Sequence, residues 1–300
     1  MTLPDGTVLD PSELEPPALG HMPDIRLIAV DMDGTLLHDD HVDDSLWPLL
    51  RELDRRGIVF CPASGRQYAN VHDRFAGHDG SMVFIAENGA YVVRDGVELS
   101  SAGVGLDVVA DLVRTVRALG GGSGSTGGAG TADVGMVLCG KRSAYIERTD
   151  PAFVEQADRY YLRLEQVEDL LTVRDDEVLK VAVFDFGSAQ ETTAPALARF
   201  RATQQVVVSG EHWVDVMHPD ANKGTALRRV QGLLGVTPAQ TMAFGDYLND
   251  LELMDAADYS FAMANAHPTL LARARYVAPP NTRNGVVRTI AATLGIPLPA

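Results

Sequence analysis

Cysteine is scarce: among 300 residues there are two, Cys61 and Cys139. Each lies in an apolar stretch without metal-ligand spacing, which argues against a disulfide or a zinc site and reads as buried free thiols. Long apolar runs are missing as well. None approaches the roughly 18 residues of a membrane-spanning helix, and the N-terminal stretch lacks the basic and apolar regions of a secretory signal, so the expected address is cytoplasmic. Positive charge is also in short supply, with 25 Lys and Arg against 41 Asp and Glu and a formal net charge of −16. That balance argues against nucleic acid and against an anionic membrane as partners. An anionic substrate would need cations placed locally.

What is present suits a globular enzyme-sized chain. Hydrophobic residues at 46% and charged residues at 22% supply ample core for one large domain or two of ordinary size. The most informative stretch is LIAVDMDGTLL, residues 27–37. Leu27 to Val30 form a short continuous apolar run, the pattern of a parallel strand covered on both faces. Asp31 and Asp33 then fall at its carboxyl end, the edge at which open α/β sheets bind ligands. Alternation puts both side chains on one side, and Gly34 allows a tight turn beneath whatever they hold. Two carboxylates so close invite a divalent cation. An EF-hand loop is a poor fit, because it needs Gly at its sixth position, Glu at its twelfth and a helix before it.

Around this centre strand and helix alternate. Residues 45–56 read as a helix, 58–63 as a strand ending in Ser64, 67–75 as a helix and 82–86 as a strand running into the turn Glu87-Asn88-Gly89. From about residue 90 the rhythm changes to a hairpin at 91–99, a helix at 107–119 and strands at 136–146, 179–186 and 206–208. Alternation then resumes with a strand at 213–217, a helix from Lys223 to Leu234, a strand at 242–244, a further helix, a strand near 260–263 and a terminal helix. The expected fold is therefore α/β: a doubly wound, mostly parallel, Rossmann-like sheet core carrying an inserted α/β unit. Its divisions are a loose, acidic, proline-rich tail at 1–20, a core at 21–89 and 209–300, and an insertion at 90–208 that contains the Gly/Ser-rich loop 120–130.

Other chemical fragments stand at equivalent strand ends. Ser64, in Ala63-Ser64-Gly65-Arg66, joins a strand to a helix, where its hydroxyl can either cap the helix or hold a phosphate oxygen. Lys223 opens a helix. In GDYLND, residues 245–250, Asp246 and Asp250 follow an apolar strand and can face the Asp31 pair. His38 and His41, among Asp39, Asp40, Asp43 and Asp44, read as a solvated loop, and His212 and His218 read the same way. Arg66 is a plausible anion contact, while Lys141, Arg142 and Lys180 in the insertion can face either substrate or solvent.

In their order and spacing, DMDGTLL, Ser64 in ASGR, Lys223 in NKG and GDYLND resemble the haloacid dehalogenase superfamily, and within it the Cof-type phosphatases with a large α/β cap (subfamily IIB). The resemblance covers residues 25–292. AMANA (262–266) and NTRNGV (281–286) look like that family's later active-site edge, and the poly-glycine segment departs from its ordinary cap. The resemblance implies that Asp31 is a nucleophile that becomes phosphorylated and that Asp33 is the acid and base. It implies that Mg²⁺ is held by Asp31, the Asp33 carbonyl oxygen and Asp246. It also implies that Asn249 and Asp250 order the metal's waters or hold Lys223, and that Ser64, Lys223 and the backbone around Gly34 and Thr35 cradle the phosphoryl oxygens; Gly65, Arg66 and Asn249 are further candidate phosphate contacts. The implied activity is Mg²⁺-dependent hydrolysis of small phosphorylated metabolites, either sugar phosphates or phosphorylated cofactors. The alternatives are a sugar phosphomutase using the same phosphoaspartate, or a non-catalytic phosphometabolite sensor.

Overall fold

In the computed structural model, which describes residues 13–78, 80–120 and 132–298, the apolar run becomes strand β1, Leu27–Asp31, buried along its whole length. It pairs in parallel with β2, Val59–Ala63, on one side and with β12, Thr241–Gly245, on the other. These strands belong to an eight-stranded sheet ordered β14-β13-β12-β1-β2-β3-β4-β5. Its other members are β3 (Val83–Ala86), β4 (Tyr91–Arg94), β5 (Val97–Ser101), β13 (Tyr259–Met263) and β14 (Tyr276–Ala278). The strands from β14 to β3 run parallel, and β4 turns back antiparallel. The chain leaves β1 toward β2 and β3 and later returns on its other flank as β12, so strand order reverses between β1 and β12. A crevice at the carboxyl ends of two such strands is the usual ligand site of a doubly wound sheet.

The helices follow from their apolar stripes. Leu46–Arg55 buries Leu46, Leu49, Leu50 and Leu53, a spacing that lays one face on the core. Lys223–Leu234 is begun by Asn222, whose side chain accepts from the Thr225 N–H at 2.7 Å, and is ended by Gly235 in the left-handed region at φ 66°.

The chain forms two compact units: Met1–Gly65, Val71–Leu99 and Asn222–Ala300 make one, and Arg66–Asn70 with Ser100–Ala221 make the other. The second unit holds a six-stranded sheet ordered β10-β11-β9-β6-β7-β8. Its strands are β6 (Val134–Gly140), β7 (Ala144–Ile146), β8 (Leu164–Gln166), β9 (Val178–Asp185), β10 (Gln205–Val208) and β11 (Trp213–Met217). Alternation sorts its core. Met136, Leu138, Val181 and Val183 pack with Val109, Leu112, Val113 and Val116 of the helix Leu106–Gly120, while Val137, Cys139, Ala182 and Phe184 meet Phe153 and Ala157 of the helix Pro151–Asp158.

Several elements depart from the sequence expectation. The hairpin β4–β5, read as the start of the insertion, continues the large sheet through β3. Strand β11, read as the return to the core, is antiparallel to β9 and β10 and belongs to the second sheet. An apolar strand just before a helix has the same local pattern in either place, and only its pairing partner decides. The single strand expected at 136–146 is two, β6 and β7, joined by a turn at Lys141 and Arg142. Of the expected tail, residues 1–12 lie outside the described residues. Within residues 13–20, Glu15 bridges Arg283 at 3.2 Å and also pairs with Arg288. Except for Gly120, the loop 120–130 likewise lies outside the described residues. Among the described residues no helix is long and apolar enough to cross a membrane.

Candidate active site

Parallel pairing aligns the carboxyl ends of β1, β2, β3 and β12, so Asp31, Ser64, Glu87-Asn88-Gly89 and Asp246 emerge along one edge of the first unit's sheet. At the centre Lys223 is wholly buried. Its Nζ donates to Asp31 Oδ1 at 2.5 Å and to Asp250 Oδ1 at 2.6 Å. Asp250 spends its other oxygen on the backbone N–H groups of Asp246 (3.1 Å) and Tyr247 (3.2 Å). Asp246 in turn accepts from the Thr35 hydroxyl at 3.1 Å. Gly34, at φ 75°, runs beneath the Asp246 carboxylate, which occupies the space a Cβ would need.

Asp31, Asp246 and Asp250 each present an oxygen within 4.8 Å of the others, and among the described residues this is the group of acid, His or Cys side chains placed to share an ion. Three carboxylates against one ammonium leave two negative charges unmatched in a buried place. Burial, then Asp250 and Asp246, hold the Asp31 carboxyl well above the ordinary carboxylate range despite Lys223. Asp246 is lifted to about 6, first by burial and then by Asp250. Burial alone would push the Lys223 ammonium down, but Asp250 and Asp31 outweigh it and raise it. A divalent cation is the group whose charge would relieve both acids, and its charge and oxygen preference fit the donors present.

The remaining candidates fall around this centre in different ways. Asp33 is exposed on the turn beyond Asp31. Thr35 N–H bonds to the Met32 carbonyl at 3.3 Å, so both polar groups of Thr35 named here are engaged within the protein. Ser64 and Gly65 lie against Asn88, and Asn249 donates to Asn88 Oδ1 at 3.1 Å. Arg66 packs with the second unit, where it donates to Asn70 at 3.3 Å. The discounted histidines serve locally: His38 and His41 exchange backbone hydrogen bonds, and His212 Nδ1 faces the carbonyls of Asp185 and Gly187. In the second unit the charges of Lys141 and Arg142 meet Glu177 at 2.6 Å and Asp175 at 3.0 Å. Lys180 is buried, 5.9 Å from the centre of the Tyr161 ring.

Sequence reasoning passed over Asn88, read as a plain turn residue, and the exact work of two asparagines. Asn265, in AMANA, donates to the Gly34 carbonyl at 2.8 Å and accepts from the Asn281 N–H at 3.1 Å. Asn281 donates to the Leu37 carbonyl at 2.8 Å. The late motifs thus buttress the turn that follows Asp31.

Comparison with known proteins bears on the family and the fold. Residues 28–290 match the family described as haloacid dehalogenase-like hydrolase. The chain is 32% identical over 275 residues to a 5-amino-6-(5-phospho-D-ribitylamino)uracil phosphatase of Escherichia coli K12, covering 89% of this chain and 95% of that one. A solved structure from Eubacterium rectale superposes with a TM-score of 0.79 at 25% identity, covering 89% of this chain and 98% of that one. A sugar phosphatase of haloacid dehalogenase subclass IIB gives a TM-score of 0.74 over 91% of this chain and 100% of that one, at 18% identity, a likeness of fold alone.

Proposed function

This chain belongs to the haloacid dehalogenase-like hydrolase family and is a Cof-type phosphatase within it, and from that premise we propose that it hydrolyses small phosphorylated metabolites, sugar phosphates or phosphorylated cofactors, with Mg²⁺ and through a phosphoaspartate on Asp31. The observation that carries the reading is the trio Asp31, Asp246 and Asp250, the first and last of them buried and bridged by Lys223.

Asp31 is the nucleophile. A carboxylate needs no base to attack, but it must be ionised, and burial among acids works against that. Asp31, Asp246 and the Asp33 carbonyl oxygen would hold Mg²⁺, whose charge would keep both carboxylates ionised and screen the approaching phosphate dianion. Lys223 fixes one Asp31 oxygen and so sets the direction of the other. As that oxygen bonds to phosphorus, the ester P–O bond breaks and Asp33 passes its proton to the departing alcohol oxygen. In the second half-reaction Asp33 takes a proton from water, the water oxygen attacks phosphorus, and the bond to Asp31 breaks to release phosphate and regenerate the carboxylate. Asp33 is suited to both steps because it is exposed, so that a leaving group and water could reach it.

A panel of phosphorylated metabolites incubated with Mg²⁺ and assayed for inorganic phosphate tests the reading. Turnover on at least one sugar phosphate or phosphorylated cofactor is expected. No release from any member by folded protein would sink it, and an absolute need for a bisphosphate activator would point to a phosphomutase instead.

A further inference from the structure

We propose that Asn88 is a positioning residue: the turn Glu87-Asn88-Gly89 clamps the loops that carry Ser64, Lys223 and Asn249 into one register. The inference rests on the phosphatase reading for its kinetic consequence, but its geometry stands alone. All three turn residues occupy the left-handed region, with φ of 48°, 55° and 97°. For Glu87 that conformation is unfavourable, and surrounding contacts must enforce it. Those contacts lead to three loops of the centre. The Asn88 N–H donates to the Ser64 carbonyl at 2.9 Å. Its carboxamide covers Gly65 so closely that an added Cβ would meet Oδ1 at 2.8 Å. Asn249 Nδ2 donates to the same Oδ1 at 3.1 Å. Gly89 backs onto the Asn222 carbonyl, with the Lys223 nitrogen 3.1 Å from where its Cβ would lie.

The consequence is mechanical. Lys223 begins its helix at Asn222, so the height of the ammonium over Asp31 is set by where that helix start is held. Asn249 stands one residue before Asp250, the other Lys223 partner. A side chain that ties Asn249 to Gly65, on a turn wedged against Asn222, therefore fixes the cation and the serine loop together. The left-handed backbone by itself does not call for an amide, because glycine could adopt it equally well.

Asn88→Gly separates the two roles, since it keeps the backbone conformation and deletes the bridge. With Mg²⁺ and p-nitrophenyl phosphate, kcat is expected to drop about tenfold or more, as displaced catalytic groups do, while KM changes far less. Asn249→Ala cuts the same link from its other end, so the double variant should be no slower than the slower single one. Amide exchange of the segment 222–226, measured on the full chain, should quicken in Asn88→Gly. Wild-type kcat and unchanged exchange in Asn88→Gly would overturn the proposal, as would losses that multiply in the double variant. If the wild type itself released no phosphate from any ester, that failure would fall on the phosphatase reading, and exchange would still decide the clamp: unchanged protection at 222–226 rejects it.

Discussion

Asp31 and Asp33 are two residues apart and sit in opposite surroundings, one buried and one exposed. On the proposed mechanism this difference separates their roles, and two substitutions test it. Asp31→Asn keeps the shape and removes the nucleophile, so turnover should fall at least about a thousandfold with the fold retained. Activity within tenfold of wild type, measured on p-nitrophenyl phosphate, would contradict the assignment. Asp33→Asn should slow alkyl phosphates by about 10²- to 10⁴-fold, the usual worth of a general acid. An activated ester, whose leaving group needs little protonation, should lose less in the first half-reaction. Equal losses in phosphoenzyme formation for both esters would remove Asp33 from that role.

At the scale of elements, the turn between β6 and β7 shows a charged segment being held from within. Asp176 is buried and accepts from the Arg142 N–H at 3.0 Å and the Tyr145 hydroxyl at 3.0 Å. Tyr145 is accordingly pushed up to about 12, by burial first and then by Asp176. Asp176→Ala should therefore cost about 3 kcal/mol in denaturant unfolding, because it leaves those donors unpaired. Arg142→Ala, which removes an exposed pair with Asp175 and a looser 3.8 Å approach to Asp176 while leaving the backbone N–H bond in place, should cost less than about 1 kcal/mol. A reversed order would mean that the turn is held by its surface charges. The same elements show what the sequence could tell. DMDGTLL, Lys223 in NKG and GDYLND were legible because each couples a strand or helix end to its polar residue within a few positions. Strand β11 was misplaced because its partner β9 is distant in sequence and its own apolar pattern is silent about pairing. Asn88 was missed for a similar reason: its worth lies in Gly65 and Asn249, neighbours that only the sheet brings together.

Within the whole molecule's net charge of −16, two unmatched negative charges are gathered at one largely buried point. Both Asp31 and Asp246 have folded-state pKa values raised above 3.8, Asp246 to about 6. The folded form then binds protons at these two groups that the unfolded form has released, so their contribution to metal-free stability should be greatest at acid pH and fall as pH climbs from near 4 through about 6, against the opposite trend of carboxylates held low by arginines, such as Glu52 beside Arg55 and Arg56. For Asp246 alone the loss is on the order of 3 kcal/mol. Mg²⁺ should remove this dependence and add roughly 2.7 kcal/mol at a hundredfold excess over its Kd. Thermal unfolding of the wild type and of Asp246→Asn, in chelator and in Mg²⁺ across this range, measures both effects, and a wild-type stability that gains on the variant in chelator from pH 4 to 7 would reverse the charge argument.

The central claim is that a phosphoryl group passes through Asp31. It is tested most directly by reacting Asp33→Asn with an activated phosphate ester in Mg²⁺, quenching in acid and locating the modification by peptide mass spectrometry. Because that variant lacks the base for the second half-reaction, it should accumulate one phosphoryl group on Asp31, absent in chelator and absent when Asp31→Asn is added. Ester cleavage with no phosphorylated peptide, or with the group on another residue, would contradict the account.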